Sequence, residues 1–466
     1  MALAKGVLPG DVMRDPRAEA LLVACSLDPT LERGGAEAWL REITRLVHEL
    51  TAPEQRRPAV ATAAVGFGRS FFVTPDGASR FGLDGRIPAD LQTPPLVAAV
   101  ADPAAGALDV LLYIMATSEA RVAGFLEGLS RTRTLGLRRV VLERGFQRAD
   151  GRELFGFRDG LRNVRKSDRH GVIFVDRDDA PDEPDWAEDG TYLAYLKVPQ
   201  DFDAWGQLAV ADQEQIIGRR KDDGSRLDLP AGTNPHTEGE IAGPPPDMDA
   251  HIRKSGPRGA LHDRMQIFRR GVPYLTLRED GAVDGGLQFV SFQSSLDQFA
   301  VILNRWMANP DFPSTGSRPD ALFARGLATI AKAGFYFVPP HDPRFLGAGM
   351  FDPPRPVGHP RKPGRVIIHK RALDVAGNPA LAEVGGIGFQ LFRADTNAPI
   401  GEVFFTDSTG HARSPEAPLR TPLLLREVQP PPHLEPSSDV AVTLTRSREL
   451  VRVDNRVRPG QPGYSA

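Results

Sequence analysis

The sequence predicts an α+β protein that ends in an all-β module. Three observations point there. Short apolar runs alternate with helically spaced segments over residues 18–345. A Pro/Gly-rich stretch follows at 346–364. After it comes a series of short β-like runs separated by turn signals.

The 466 residues exceed one ordinary core, so two or three domains are expected. Hydrophobic content of 41% and charged content of 25% are those of globular protein. A net charge of −3 offers no basic field for nucleic acid. The single cysteine, Cys25, excludes an internal disulfide framework and a Cys-rich metal site. No uncharged apolar run reaches the roughly 18 residues of a membrane span. The first ten residues lack an apolar core behind a basic start, so a cytoplasmic location is expected, with packaging in a protein shell or another export route left open.

In order, residues 1–17 form an irregular arm and Ala18–Leu27 a buried strand. Ala36–Leu50 spaces Trp39, Ile43, Leu46 and Val47 as a helix does. Thr62–Val73 reads as a strand broken by Gly66 and Gly68, and Leu108–Met115 as a strand. Ser118–Leu129 is a helix with Ser118 as N-cap, and Leu137–Ala149 a further strand region. The order is that of a split βαββαβ unit. A second round starts near 166, with strands at Gly171–Val175, Gly190–Val198, Met265–Phe268, Leu287–Gln293 and Phe335–Val338. Helices are expected at Asp203–Gln213, Leu296–Met307 and Pro319–Ala333, and a long polar loop at 222–250. The lobes are therefore 18–165 and 166–345, the all-β module 365–458 and a tail 459–466.

Residues 153–163, ELFGFRDGLRN, bracket one carboxylate, Asp159, between Gly156 and Gly160 beside apolar neighbours. A carboxylate at an oily rim can have a raised pKa and move protons. Taken alone, the string favours a surface turn in which Asp159 caps its own backbone. Likewise His251 and Arg269 taken singly read as structural or surface residues.

Six strings change this. FGFRDG (155–160), GTYLAYLKVPQDFDAW (190–205), QIIGRRKDDGSRL (215–227), AHIRKSGPR (250–258), QIFRRGVPY (266–274) and GLQFVSFQ (286–293) resemble, in order and spacing, those of the dye-decolorising peroxidases. The resemblance covers about residues 18–340. It implies two ferredoxin-like lobes and one haem b per chain. It also implies a peroxidase that reduces hydrogen peroxide and oxidises dyes, phenols or other small organic donors by one-electron steps. His251 matches the axial haem ligand, Asp159 the distal acid–base and Arg269 the distal arginine. Arg219 lies in a further family motif without an assigned partner. Gly156 and Gly160 would bring backbone against the haem. Asp297 is read either as the hydrogen-bond partner behind His251 or as an acid at a helix start. Trp205, Trp306, Tyr274 and Tyr336 read first as core aromatics and second as a radical path. The chain departs from the family at Leu161–Asn163, where an Ile-Ser/Asn-Gln-Pro run is more usual.

Residues 365–458 resemble collagen-adhesin B-type, prealbumin-like domains, on VIIHK, GIGFQLFR, TDSTGHA, LLLREVQPP and VRVDN. That implies an immunoglobulin-like sandwich. Such domains often carry a Lys–Asn isopeptide bond, and Lys370, Glu427 and Asn455 match. Burial would favour neutral lysine and a protonated Glu427. Three exposed strand residues is the equal alternative. Two other functions stand beside the peroxidase: a haem-handling protein without turnover, and an assembly component that meets a protein partner, or oligomerises, through the β module.

Overall fold

The computed structural model describes residues 18–461 except 53–59, 96, 98–107, 166–167, 178, 181, 236–237, 242, 259–261, 263–264, 355–362, 376–379, 381, 408–409, 420 and 445–447. The expected N-terminal arm, most of the tail and part of the linker lie outside the described residues. Two compact units result. One takes in the described residues up to Val175 together with 182–355, and the other those of 356–466 with 176–181. Among the described residues, no helix is long and apolar enough to cross a membrane.

The first unit is built on β1 (Glu19–Leu27), β2 (Ala61–Gly68), β3 (Val110–Ala116), β4 (Leu137–Phe146), β5 (Thr191–Pro199), β6 (Phe268–Arg269), β7 (Val272–Leu277), β8 (Val283–Gln293) and β9 (Lys332–Val338). They form one sheet in the order β4-β1-β3-β2-β9-β5-β8-β6, with β7 also on β8. The first four strands show the 4-1-3-2 order of a split βαββαβ unit, and β9-β5-β8-β6 repeats it. The two halves join edge to edge where Phe67 faces Phe337 and Gly68 faces Tyr336. A Cβ on Gly66 or Gly68 would come within 2.7 Å of Tyr336 or 2.6 Å of the Leu108 carbonyl, so side chains there would prevent the joint. A single buried cluster spans the joint, including Leu22 and Tyr113 from one half and Leu193 and Phe292 from the other.

The helix Arg33–Thr51 buries Trp39, Leu40, Ile43, Leu46 and Val47, the stripe expected of period 3.6. It packs with the helix Glu119–Arg131, capped by Ser118 as its sequence suggests. Other expectations fail instructively. Gly171–Val175 is not a strand, because Arg169–Ile173 is a helix: a short apolar run does not distinguish the two. Only Ala321–Ala324 of Pro319–Ala333 is α-helical. Asp203–Gln213 falls into two helices, Phe202–Gly206 and Val210–Ile217. Leu296–Ala300 continues as a π-helix, Val301–Met307. β7 was not foreseen; its Pro273 fits a short outer strand.

The 218–250 loop is ordered by arginines. Arg226 is 2% exposed and donates to Asp228 and the Gly239 carbonyl. Arg253, equally buried, donates to the Gly243 and Pro246 carbonyls at 2.6 and 2.9 Å. Guanidinium donors thus replace the ladder partners that loop carbonyls lack.

In the second unit, β10 (Arg365–Leu373), β13 (His411–Arg413) and β16 (Arg448–Arg456) form one sheet. β11 (Gly388–Arg393), β12 (Pro399–Phe405), β14 (Pro422–Gln429) and β15 (Val440–Thr443) form another. Their alternating inward residues, among them Val366, Ile368, Leu391, Leu425 and Val453, share one core.

Candidate active site

A cavity of about 310 Å³ in the first unit is lined by Asp159, Gly160, Arg219, His251 and Arg269. Five of the six predicted residues therefore meet. Gly156 is not among the lining residues; its φ of +93° turns the chain beneath the wall. Gly160, at φ +72°, lies on the wall itself. The remaining lining is largely apolar, with Val198, Leu287 and Phe289 from the sheet, Phe299 from the helix Leu296–Ala300, and Ile302 and Met307 from the π-helix. A π-turn is wider than an α-turn and commonly marks a functional site.

His251 starts the helix His251–Ser255. That helix is pinned by Lys254, fully buried, whose ammonium donates to the Asn309 carbonyl at 2.7 Å and to the Phe312 carbonyl. The Nδ1 of His251 lies 2.8 Å from Asp320 Oδ2. Asp320, 1% exposed, uses Oδ1 to cap the helix Ala321–Ala324 through Leu322 N–H at 3.0 Å. Burial opposes the imidazolium, but the Asp320 carboxylate outweighs it and the His251 pKa is raised. The partner behind His251 is therefore Asp320 and not Asp297, which is exposed in the first turn of its own helix, where Ser295 and Gln298 form a capping box. Asp320 lies 69 residues from the histidine, and the sequence reading did not single it out.

Asp159 accepts the Gly160 N–H at 2.6 Å, and its own N–H donates to the Gly151 carbonyl at 3.0 Å. Arg269 Nη2 donates to the Leu161 carbonyl at 2.8 Å. Asn163 Nδ2 donates to the Arg269 carbonyl at 2.9 Å, and Asn163 Oδ1 accepts the Arg269 N–H at 3.2 Å. The Leu161–Asn163 departure thus has a use: it ties the aspartate loop to the arginine strand. Burial lowers the Arg269 pKa, and the Asp159 charge opposes that shift. Arg219 receives its missing partner in Glu238, by a two-pronged pair at 2.6 and 2.9 Å. Glu238 also accepts from Arg258 at 3.2 Å. Burial, with Arg162 and Arg219 nearby, takes Arg258 down to about 9.

Two lining residues escaped the sequence reading. Glu153 accepts the Phe155 and Phe157 N–H groups at 2.9 Å each. His262, 9% exposed, has an Nδ1 with no hydrogen-bond partner among the described residues. Trp205, Trp306, Tyr274 and Tyr336 are all at most 5% exposed, the core aromatics of the first reading. The donor set suits haem: an imidazole whose Nδ1 is held leaves Nε2 for iron, and the wall is apolar with guanidinium groups at hand.

In the second unit Lys370, Glu427 and Asn455 are 1%, 8% and 3% exposed, so they are not surface residues. Lys370 Nζ donates to Glu427 Oε2 at 3.1 Å and to Asn455 Oδ1. Asn455 Nδ2 donates to both Glu427 oxygens at 3.0 and 2.8 Å. Burial lowers the Lys370 pKa. Glu427 departs from expectation: burial raises it, but donors from Asn455 and Ser437 and the Lys370 charge prevail and lower it, so it is a carboxylate rather than the acid expected from the sequence.

The α+β fold of the first unit is similar to that of solved Dyp-type peroxidase structures. At TM-scores of 0.61 and 0.60 and 24% identity, it resembles the oxyferrous complex of DtpA from Streptomyces lividans and the DyP-type peroxidase from Cellulomonas bogoriensis. Each likeness covers 76% of this chain, and 97% and 100% of the respective structures, and speaks to the fold alone. Residues 150–343 match the family described as "Dyp-type peroxidase, C-terminal". The deferrochelatase of Escherichia coli (strain K12) is 30% identical over 262 residues, 52% of this chain. The chain spans 59% of the length of that curated relative. The family likeness lies in residues 150–343, and the solved structures extend it to the fold.

Proposed function

We propose that the chain is a haem-dependent peroxidase that reduces hydrogen peroxide and oxidises small organic donors by one-electron steps. The observation that carries this is the meeting of a carboxylate-braced His251 with Asp159 and Arg269 on one largely apolar cavity. Haem b, when bound, supplies the redox chemistry of peroxide cleavage. His251 would hold the iron through Nε2 while Asp320 fixes the ring orientation. Asp159 would take a proton from one peroxide oxygen and return it to the departing one. Arg269, held by Leu161, offers a fixed positive charge to the oxygen that becomes anionic. Apolar walls limit water and strengthen both effects. Aspartate side chains ordinarily titrate near 3.9, so an aspartate base works in mild acid, and activity is expected to peak there.

Purification with added haem tests this. A Soret band that shifts on peroxide and returns with a dye is expected; it is lost in His251→Ala, and its shift is slowed in Asp159→Ala and Arg269→Leu. Haem retained without any peroxide response would instead support a haem-handling protein, the alternative favoured by the name deferrochelatase borne by the relatives. A chain that takes up no haem would leave both behind.

We infer further that the second unit is a prealbumin-like sandwich with a Lys370–Asn455 isopeptide bond. The support is the inward placement of all three polar residues among apolar ones. Glu427 accepts a proton from the Lys370 ammonium, Nζ attacks Asn455 Cγ, and the Cγ–Nδ2 bond breaks. Glu427, next to Nδ2, passes that proton to the departing nitrogen and takes the second proton from Nζ, leaving a secondary amide as ammonia departs.

A further inference from the structure

We propose that Glu153 is the positioning residue of the proton-handling loop, acting on peroxide only through Asp159; this rests on the peroxidase reading. Residues 151–159 form a closed loop. The Asp159 N–H donates to the Gly151 carbonyl at 3.0 Å, and Arg152 and Arg158 form a bridge just inside. Glu153 fills the loop. Its N–H donates to the Phe157 carbonyl and its carbonyl accepts the Gly156 N–H, both at 3.0 Å. Its carboxylate accepts the Phe155 and Phe157 N–H groups at 2.9 Å and Gln200 Nε2 at 3.1 Å.

Each contact has a direction that matters. Gln200 follows β5, and its own N–H donates to the Gly285 carbonyl at 2.9 Å, so the carboxylate ties the loop to the sheet. Phe155, fixed by that carboxylate, stacks on Trp205 with ring centres 4.1 Å apart. Arg152 clasps the outside, donating to the Gly156 and Lys221 carbonyls. Asp159 therefore leaves a frame fixed on three sides, two residues after Phe157. Three N–H donors point at the two carboxylate oxygens, so Glu153 acts in this frame as an acceptor, although burial and the Asp159 charge raise its pKa against those donors. A glutamine keeps the size but turns an N–H₂ toward one of the three donors, which loses at least one bond.

The test is Glu153→Gln in the haem-loaded full chain, alone and with Asp159→Asn. The stopped-flow Soret change on peroxide is expected to slow about tenfold in Glu153→Gln, the rate equivalent of one lost hydrogen bond, while the donor KM holds. In the Asp159→Asn background, Glu153→Gln is expected to add nothing, because residues acting as a unit are non-additive. Amide exchange at Phe155 and Phe157 should accelerate at least tenfold, a readout that needs no turnover. Additive slowing, or unchanged exchange, overturns the proposal while leaving the peroxidase reading standing. A wild type with no Soret response overturns that reading and the proposal with it. Should Glu153→Gln fail to fold, Gln200→Ala removes only the tie to β5; a normal peroxide step there is likewise contrary.

Discussion

The Lys370–Asn455 link yields a prediction whose size follows from the structure. Replacing Glu427 by Gln keeps the shape of the triad but removes the group that accepts the lysine proton. Wild-type protein is expected to weigh one ammonia less than its sequence, and Glu427→Gln to weigh its full sequence mass. The bond would close a loop of 85 residues between β10 and β16, the first and last strands of the unit. Loop closure of that length constrains the unfolded chain by about 4.6 kcal/mol. For a domain near 90 residues that corresponds to roughly 20–35 °C in Tm. Intact mass followed by calorimetry of the full chain measures both quantities. A wild-type mass equal to the sequence refutes the cross-link outright. A Glu427→Gln protein that still lacks the ammonia refutes the role given to Glu427.

Three further outcomes are expected. Asp320→Asn keeps the cap on Leu322 but loses the charge behind His251, so haem retention should fall about 10- to 100-fold with little change in melting, as haem titration would reveal; unaltered retention removes Asp320 from the account. Glu238→Gln strands Arg219 and Arg258, whose side chains are 6% and 4% exposed, and should cost about 3–5 kcal/mol in urea unfolding; a change under about 1 kcal/mol would mean the arginines find other partners. Burial and the nearby Arg258 hold the His262 pKa well below its ordinary value, so below about 6.5 only the unfolded chain gains that proton. Stability is thus lost as pH falls from about 6.5, by up to about 1.4 kcal/mol per pH unit, and His262→Gln should flatten that slope between pH 6.5 and 5.

Local chemistry made much of this protein legible from its sequence. Continuous apolar runs located β1 and β3, which are buried largely on both faces, and a period of 3.6 located the helix Arg33–Thr51, which buries one stripe. Asp159, His251, Arg219 and Arg269 were named only through the family resemblance of six strings in order; singly, each read as a surface or structural residue. Whether Lys370 faces inward was left open by the sequence; the alternating burial of β10 puts it with Val366 and Ile368 on the inward face. What the sequence left open was pairing at a distance. Asp320 rather than Asp297 stands behind His251 because the chain between Met307 and Asp320 folds back, with the Asp320 N–H on the Met307 carbonyl at 2.8 Å. Glu238 meets Arg219, and Asn163 meets Arg269, through loops with no repeating period for a pattern to reveal. The ionisation of Glu427 depended on how many donors surround it, a count that exists only after folding. Spacing fixes which face a residue takes; only tertiary structure decides which partner waits there, because contact energies and desolvation belong to neighbours in space. Asp159 marks that boundary: its two glycines alone suggested only a turn, the six strings together suggested its role, and its place on a cavity wall came from the fold.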